Sequence, residues 1–153
     1  MKLATVTLLL SFIAPLRSFC QCTEMQLSTL QVVQKAEPLA KENEILQLGF
    51  DLKSEQGTGG NNVRKYVKCW DSTNPKGKTY YDQVMLWYTN TNIITFLTLN
   101  TEAFSRLRKA VEERHPGSGG QQTVHGKQFR YTFVTQDVDG REYQGLTVAL
   151  RNQ

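Results

Sequence analysis

The sequence predicts an α+β fold, an antiparallel sheet of about five strands with helices packed on one face. Two patterns carry this expectation. Apolar residues recur at helical spacing within residues 23–35, 38–48 and 100–114, and they alternate with period two within 63–70, 81–88, 93–99, 129–133 and 142–151. Glycine-, proline- and asparagine-rich turns separate these segments.

The first helix is read from Leu27, Leu30 and Val33, which share one face. Glu37-Pro38 interrupts it, and proline suits the first turn of a second helix carrying Leu39, Ile45, Leu46 and Leu48. Gly49 supplies a left-handed cap, so the two form a helical hairpin. Gly57-Thr-Gly-Gly60 is then expected as a connection into the first strand, 63–70.

In the next strand Val84, Leu86 and Tyr88 oppose Met85 and Trp87, and Asn90-Thr91-Asn92 turns the chain into the strand 93–99. Asn100 is placed to cap a helix with the stripe Ala103, Phe104, Leu107 and Val111, which His115-Pro116-Gly117 ends. Phe129, Tyr131 and Phe133 line one strand face, Asp139-Gly140 is a hairpin turn, and Leu146, Val148 and Leu150 line the last strand. Helix, glycine loop, strand and strand recur in that order at an offset of about 60 residues, the pattern either of a duplicated unit or of a chance likeness between loops.

Residues 1–20 read as an export signal. Lys2 precedes an apolar run from Leu3 to Leu16, and Ser18 and Cys20 supply small residues for cleavage. The run is shorter than the about 20 residues that span a bilayer, and Pro15 and Arg17 close it, so no transmembrane segment is expected. Residues 21–153 then form a single domain, with halves at 23–99 and 100–153. A lipid anchor is the alternative fate of the leader. However, Cys20 follows Arg17-Ser18-Phe19 and Cys22 follows Phe19-Cys20-Gln21, neither of them the aliphatic-small-small run of a lipoprotein signal.

Charge needs recounting after export. The 18 cations lose Lys2 and Arg17, leaving 16 against 14 anions, so the net charge falls from +4 to +2. The longest basic cluster, Arg106 to Lys109, reads as a solvated helix face. No nucleic-acid partner is expected. Cys22 and Cys69 are a candidate disulfide in an oxidising compartment. If Cys22 is lost or lipidated, Cys69 is a lone buried thiol.

Catalytic motifs are absent. The glycine loops follow helices and precede strands, the reverse of a phosphate loop. Asp137, Asp139 and Glu142 lack the ligand pattern of a calcium loop, and Glu42 and Glu44 point to different sides of a helix. His115 and His125 lack metal-ligand spacing with Cys69, so no metal and no cofactor are expected. The aromatic residues carry the one candidate site. Trp70, Tyr81 and Trp87 could form a sheet surface for a protein or glycan partner, or they could pack in the core.

The span from Leu27 to Trp70, with its helical hairpin, Leu48-Gly49-Phe50, Ser54-Glu55, Tyr66 and Trp70, resembles uncharacterised exported small α+β proteins of the Bacteroidota. The helix from Asn100 to Arg114 and the closing hairpin are similar to the second half of such proteins. The resemblance implies no activity. The expected function is therefore a non-catalytic exported binding module. The alternatives are an exported enzyme with a dispersed site around His115 or His125, and an envelope-attached structural lipoprotein.

Overall fold

A computed structural model describes residues 22–58 and 61–151, and the expected leader 1–20 with Cys20 lies outside the described residues. Three helices and seven strands follow one another as α1 (Leu27–Lys35), α2 (Pro38–Gln47), β1 (Asp51–Thr58), β2 (Asn61–Thr73), β3 (Thr79–Tyr88), β4 (Ile93–Thr98), α3 (Thr101–Arg114), β5 (Thr123–His125), β6 (Phe129–Val138) and β7 (Arg141–Leu150). The α+β class is as expected, with seven strands rather than about five.

The two additional strands are β1 and β5. β1 reads Asp-Leu-Lys-Ser-Glu-Gln-Gly-Thr, mostly polar and exposed, so it has no period-two signal. It pairs with β2 through Gly57↔Asn62 and Thr58↔Asn61. The first glycine loop is therefore a hairpin connection within the sheet, unlike the second, which joins α3 to β5. The two loops are not equivalent, and Gly59 and Gly60 lie outside the described residues.

Strand order is β1-β2-β3-β4-β7-β6-β5, antiparallel throughout. The two chain halves thus meet at β4 and β7, in the register Phe96↔Leu146 and Ile94↔Val148. Close approach there depends on Gly145, where a Cβ would stand 2.1 Å from the Phe96 carbonyl oxygen. Asp139 and Gly140 both adopt positive φ (60° and 87°), as a two-residue hairpin turn requires.

One sheet face lies under the helices. Leu27, Leu30 and Val33 of α1, Ile45 of α2, and Leu107 and Val111 of α3 pack on Tyr66, Met85, Trp87, Phe96, Tyr131 and Leu146. The Asn100 side chain accepts from the Glu102 and Ala103 amides, both at 3.0 Å, fixing where α3 begins. α2 departs from expectation. Leu39 is 94% exposed and Leu46 is also exposed, while Lys41 is fully buried with Ile45. The Lys41 Nζ donates to the Gln34 carbonyl at 2.8 Å, at the C-terminal turn of α1, where the helix dipole favours a cation.

The opposite face is buried by the sheet itself. Val67, Val84, Leu86, Leu97, Val138 and Tyr143 form a second cluster with no helix in it. Lys65 of β2 pairs with Asp139 at the β6–β7 turn at 2.8 Å, and Arg141 of β7 pairs with Asp71 of β2. In a flat sheet these groups would stand about 15–19 Å apart, three to four strand spacings. The sheet therefore curls into a trough with the β6–β7 turn folded across β2.

Cys22 and Cys69 are joined by a disulfide, with Cα atoms 5.8 Å apart. Beside the bridge the Gln83 amide donates to the Thr23 carbonyl at 3.1 Å, Glu24 pairs with Arg106, and Met25 is buried. The segment before α1 is thus tied to β2, β3 and α3.

Candidate functional site

The aromatic candidates fall in different environments. Trp87 is 4% exposed and lies in the helix-facing core, with its indole N–H donating to the Asn92 side chain at 3.3 Å. It cannot contact a partner, which corrects the surface reading. Its period-two position assigned a face but could not show that this face is the one under the helices. Tyr81 is half-buried beside the concave cluster, and its carbonyl accepts from the Tyr143 hydroxyl at 2.7 Å. Trp70 alone is open, at 66% exposure, beside Cys69, whose φ is 60°. Trp70 and Tyr81 are cross-strand partners in the β2–β3 register, but Trp87 lies under the helices, so the three do not form one patch.

The convergent group lies elsewhere, where α1 and α3 end against the β5–β6 edge. Lys35, Arg114, His115, His125, Lys127 and Arg151 line one cleft of about 510 Å³ with Gln31, Phe129 and Tyr131. Lys35 is the last residue of α1 and Arg114 the last of α3. His125 closes β5, Lys127 sits in the β5–β6 turn, and Arg151 follows β7.

Local interactions hold the cleft in shape. The Gly126 amide donates to the Phe129 carbonyl at 2.8 Å, and the Arg151 amide to the Gln128 carbonyl at 2.9 Å. The His115 ring lies against Gly126, where a Cβ would come within 2.8 Å of the imidazole Cε1, so the close approach requires glycine. His115 also leans on Tyr131 (ring centroids 5.6 Å apart), and the Lys35 ammonium sits 5.3 Å from the Phe129 ring centre. Arg114 donates to the Gln31 side-chain oxygen at 3.0 Å, and the Gln31 amide donates to the Tyr131 hydroxyl at 2.6 Å.

Burial raises the Tyr131 hydroxyl above its ordinary pKa, against opposing contributions from Gln31 and Arg114. The phenol keeps its proton at neutral pH. Having accepted from Gln31, it is left with an O–H to donate.

Among the described residues none of these cations pairs with a carboxylate. Cations at two helix C-termini have a structural explanation, worth about 0.3–1 kcal/mol each. Lys127 and Arg151 are not on a helix and have no such explanation. Some surface charges elsewhere are matched: Arg64 contacts Glu42 and Glu55, and Arg108 contacts Glu112. This also shows Glu42 engaged with Arg64 rather than free in solvent. The cleft is therefore an excess of positive charge with fixed hydrogen-bond donors, suited to an anion.

Sequence reasoning singled out the two histidines only as unconnected candidates. The cleft is assembled from four separated segments, so no spacing could reveal it. Among the described residues, no three His, Cys, Asp or Glu side chains cluster to hold a metal ion, and no helix is long and apolar enough to cross a membrane. No protein-family model, curated protein or solved structure matches the chain at a significant level.

Proposed function

We propose that the protein is an exported, disulfide-stabilised binding module that captures an anionic ligand in the cleft between α1, α3 and the β5–β6 edge. The observation that carries this reading is the convergence of four Lys/Arg side chains and two histidines on one concavity without a carboxylate partner among the described residues. A nucleic-acid surface would need a basic stripe along a face. Here the cations ring one cleft, which favours a compact carboxylate, phosphate or sulfate.

Export is supported by the leader reading and by the Cys22–Cys69 bridge, which persists in oxidising compartments. The bridge also sharpens the cleavage site. A thiol in a disulfide cannot carry a thioether lipid, and a cut after Cys22 would remove the bridge. Cleavage after Cys20, leaving a free Gln21 N-terminus, fits both. Intact mass of the secreted protein checks this, and a diacylglycerol adduct would overturn it. The proposed setting is that of the exported Bacteroidota proteins which the sequence resembles.

The binding test is titration with inorganic pyrophosphate at low salt, followed by calorimetry and amide chemical shifts. Shifts centred on His125, Gly126 and Lys127 are expected. The triple substitution Lys35→Gln, Lys127→Gln, Arg151→Gln changes only exposed side chains and is expected to weaken binding at least tenfold. Binding unaffected by it overturns the assignment.

A second reading, a hydrolase, draws on His115, His125 and Tyr131 lining the same cleft. It requires turnover of a phosphate or carboxylate ester that is lost in His115→Ala or His125→Ala. Absence of turnover between pH 5 and 8, the range over which histidine changes charge, removes it.

A further inference from the structure

The concave face of the sheet holds a second, chemically different site, and we propose that it binds a neutral oligosaccharide. Two adjoining clefts lie there, of about 370 and 270 Å³, sharing Tyr88 and Gln136. Each is close to the size range of small-molecule sites, and together they make an elongated groove.

Its lining is mostly uncharged. The larger cleft has no Lys, Arg, His, Asp or Glu. In the smaller one Lys65 is matched by Asp139 at 2.8 Å, and the Asp137 carboxylate accepts from the Gly140 amide at 2.9 Å. Among the described residues the side-chain amides of Asn62, Gln56 and Gln136 and the Tyr88 hydroxyl have no hydrogen-bond partner in the protein. An amide both donates and accepts, as a sugar hydroxyl does. The half-buried Tyr88 ring at the junction offers an apolar face to sugar C–H groups, with a polar tip beside it.

A peptide strand fits this groove less well. Extended peptides are recognised by pairing with an open strand edge. Beneath the larger cleft run β3, β4 and β7, internal strands whose backbone groups are committed to neighbouring strands. The side chains on offer are mostly amides and hydroxyls, with one aromatic ring, beside Val63, Leu86 and Val134. The site is distinct from the cationic cleft, with which it shares no residue.

The test is amide chemical-shift mapping of the oxidised protein with maltotetraose, cellotetraose, chitotetraose and mannotetraose. At least one is expected to shift Asn62, Tyr88, Thr91 and Gln136 in a saturable way. Tyr88→Ala and, as a less disruptive rim change, Gln136→Ala should each weaken that binding at least fivefold. Trp70→Ala and the Lys35/Lys127/Arg151 triple substitution should leave it unchanged. The proposal is overturned if no tetrasaccharide produces saturable shifts, if the shifts centre on Trp70, or if an unstructured decapeptide occupies the groove while every sugar fails.

Discussion

Gln31 and Tyr131, one hundred positions apart, share a 2.6 Å hydrogen bond that joins the helix α1 to the floor of the cationic cleft. Tyr131 is 2% exposed, so its hydroxyl is held by this contact rather than by solvent. Tyr131→Phe removes the acceptor for Gln31 and the spare O–H. A stability loss of about 1 kcal/mol is expected in urea unfolding, together with weaker pyrophosphate binding. Unchanged binding would mean that the phenol is structural only.

Lys41 gives a pH signature. Desolvation lowers its pKa from 10.5 to about 8, against the opposing effect of Glu37. Between these values the unfolded lysine binds a proton that the folded one does not, so stability rises with pH. The rise begins near pH 8. It ends near pH 10, because Tyr66 (raised to about 12), Tyr131 and Tyr143 are harder to ionise when folded and contribute the opposite sign beyond that point. Denaturant midpoints from pH 7 to 10 should climb, and Lys41→Met should flatten the climb.

The two tryptophans should behave oppositely. Trp87→Ala empties a core position and should cost about 3–5 kcal/mol. Trp70→Ala changes an exposed side chain and should stay within about 0.5 kcal/mol. Calorimetric melting of both variants checks this, and equal losses would contradict the burial described here.

Reducing the Cys22–Cys69 bridge, which spans 47 positions, should lower stability by about 4 kcal/mol on the chain-entropy estimate. Unfolding with and without dithiothreitol measures it. Cys69→Ser should reproduce the loss without a reductant.

Elements with strong local signals were legible in the sequence: α3 behind its Asn100 cap, the Asp139-Gly140 hairpin, and the strands whose apolar residues alternate. β1 was not, because an exposed edge strand buries neither face and keeps no period. β5, with three residues, is too short to show one. Leu39 and Leu46 counted toward an apolar helix face, yet Lys41 takes the buried place because it satisfies the end of α1. The sequence predicted that Trp87 and Leu86 point opposite ways, but not that the sheet curls and buries both. That curl rests on ion pairs between residues about 70 apart, such as Arg141 with Asp71, which no local pattern encodes.

The bridge at Cys22 also determines how the molecule would carry load. A pull on the N-terminus enters at Cys22 and crosses through sulfur to β2, which pairs with β3 from Val63 to Thr73 and with β1 from Asn61 to Val67. The helical hairpin and β1 lie inside the closed loop and are bypassed. If the chain is held at its N-terminus, strain falls on a strand inside the sheet rather than on α1, which gives Gln31 and Lys35 to the cationic cleft. The α1 wall of that cleft would then keep its place under tension for as long as the sulfurs remain joined.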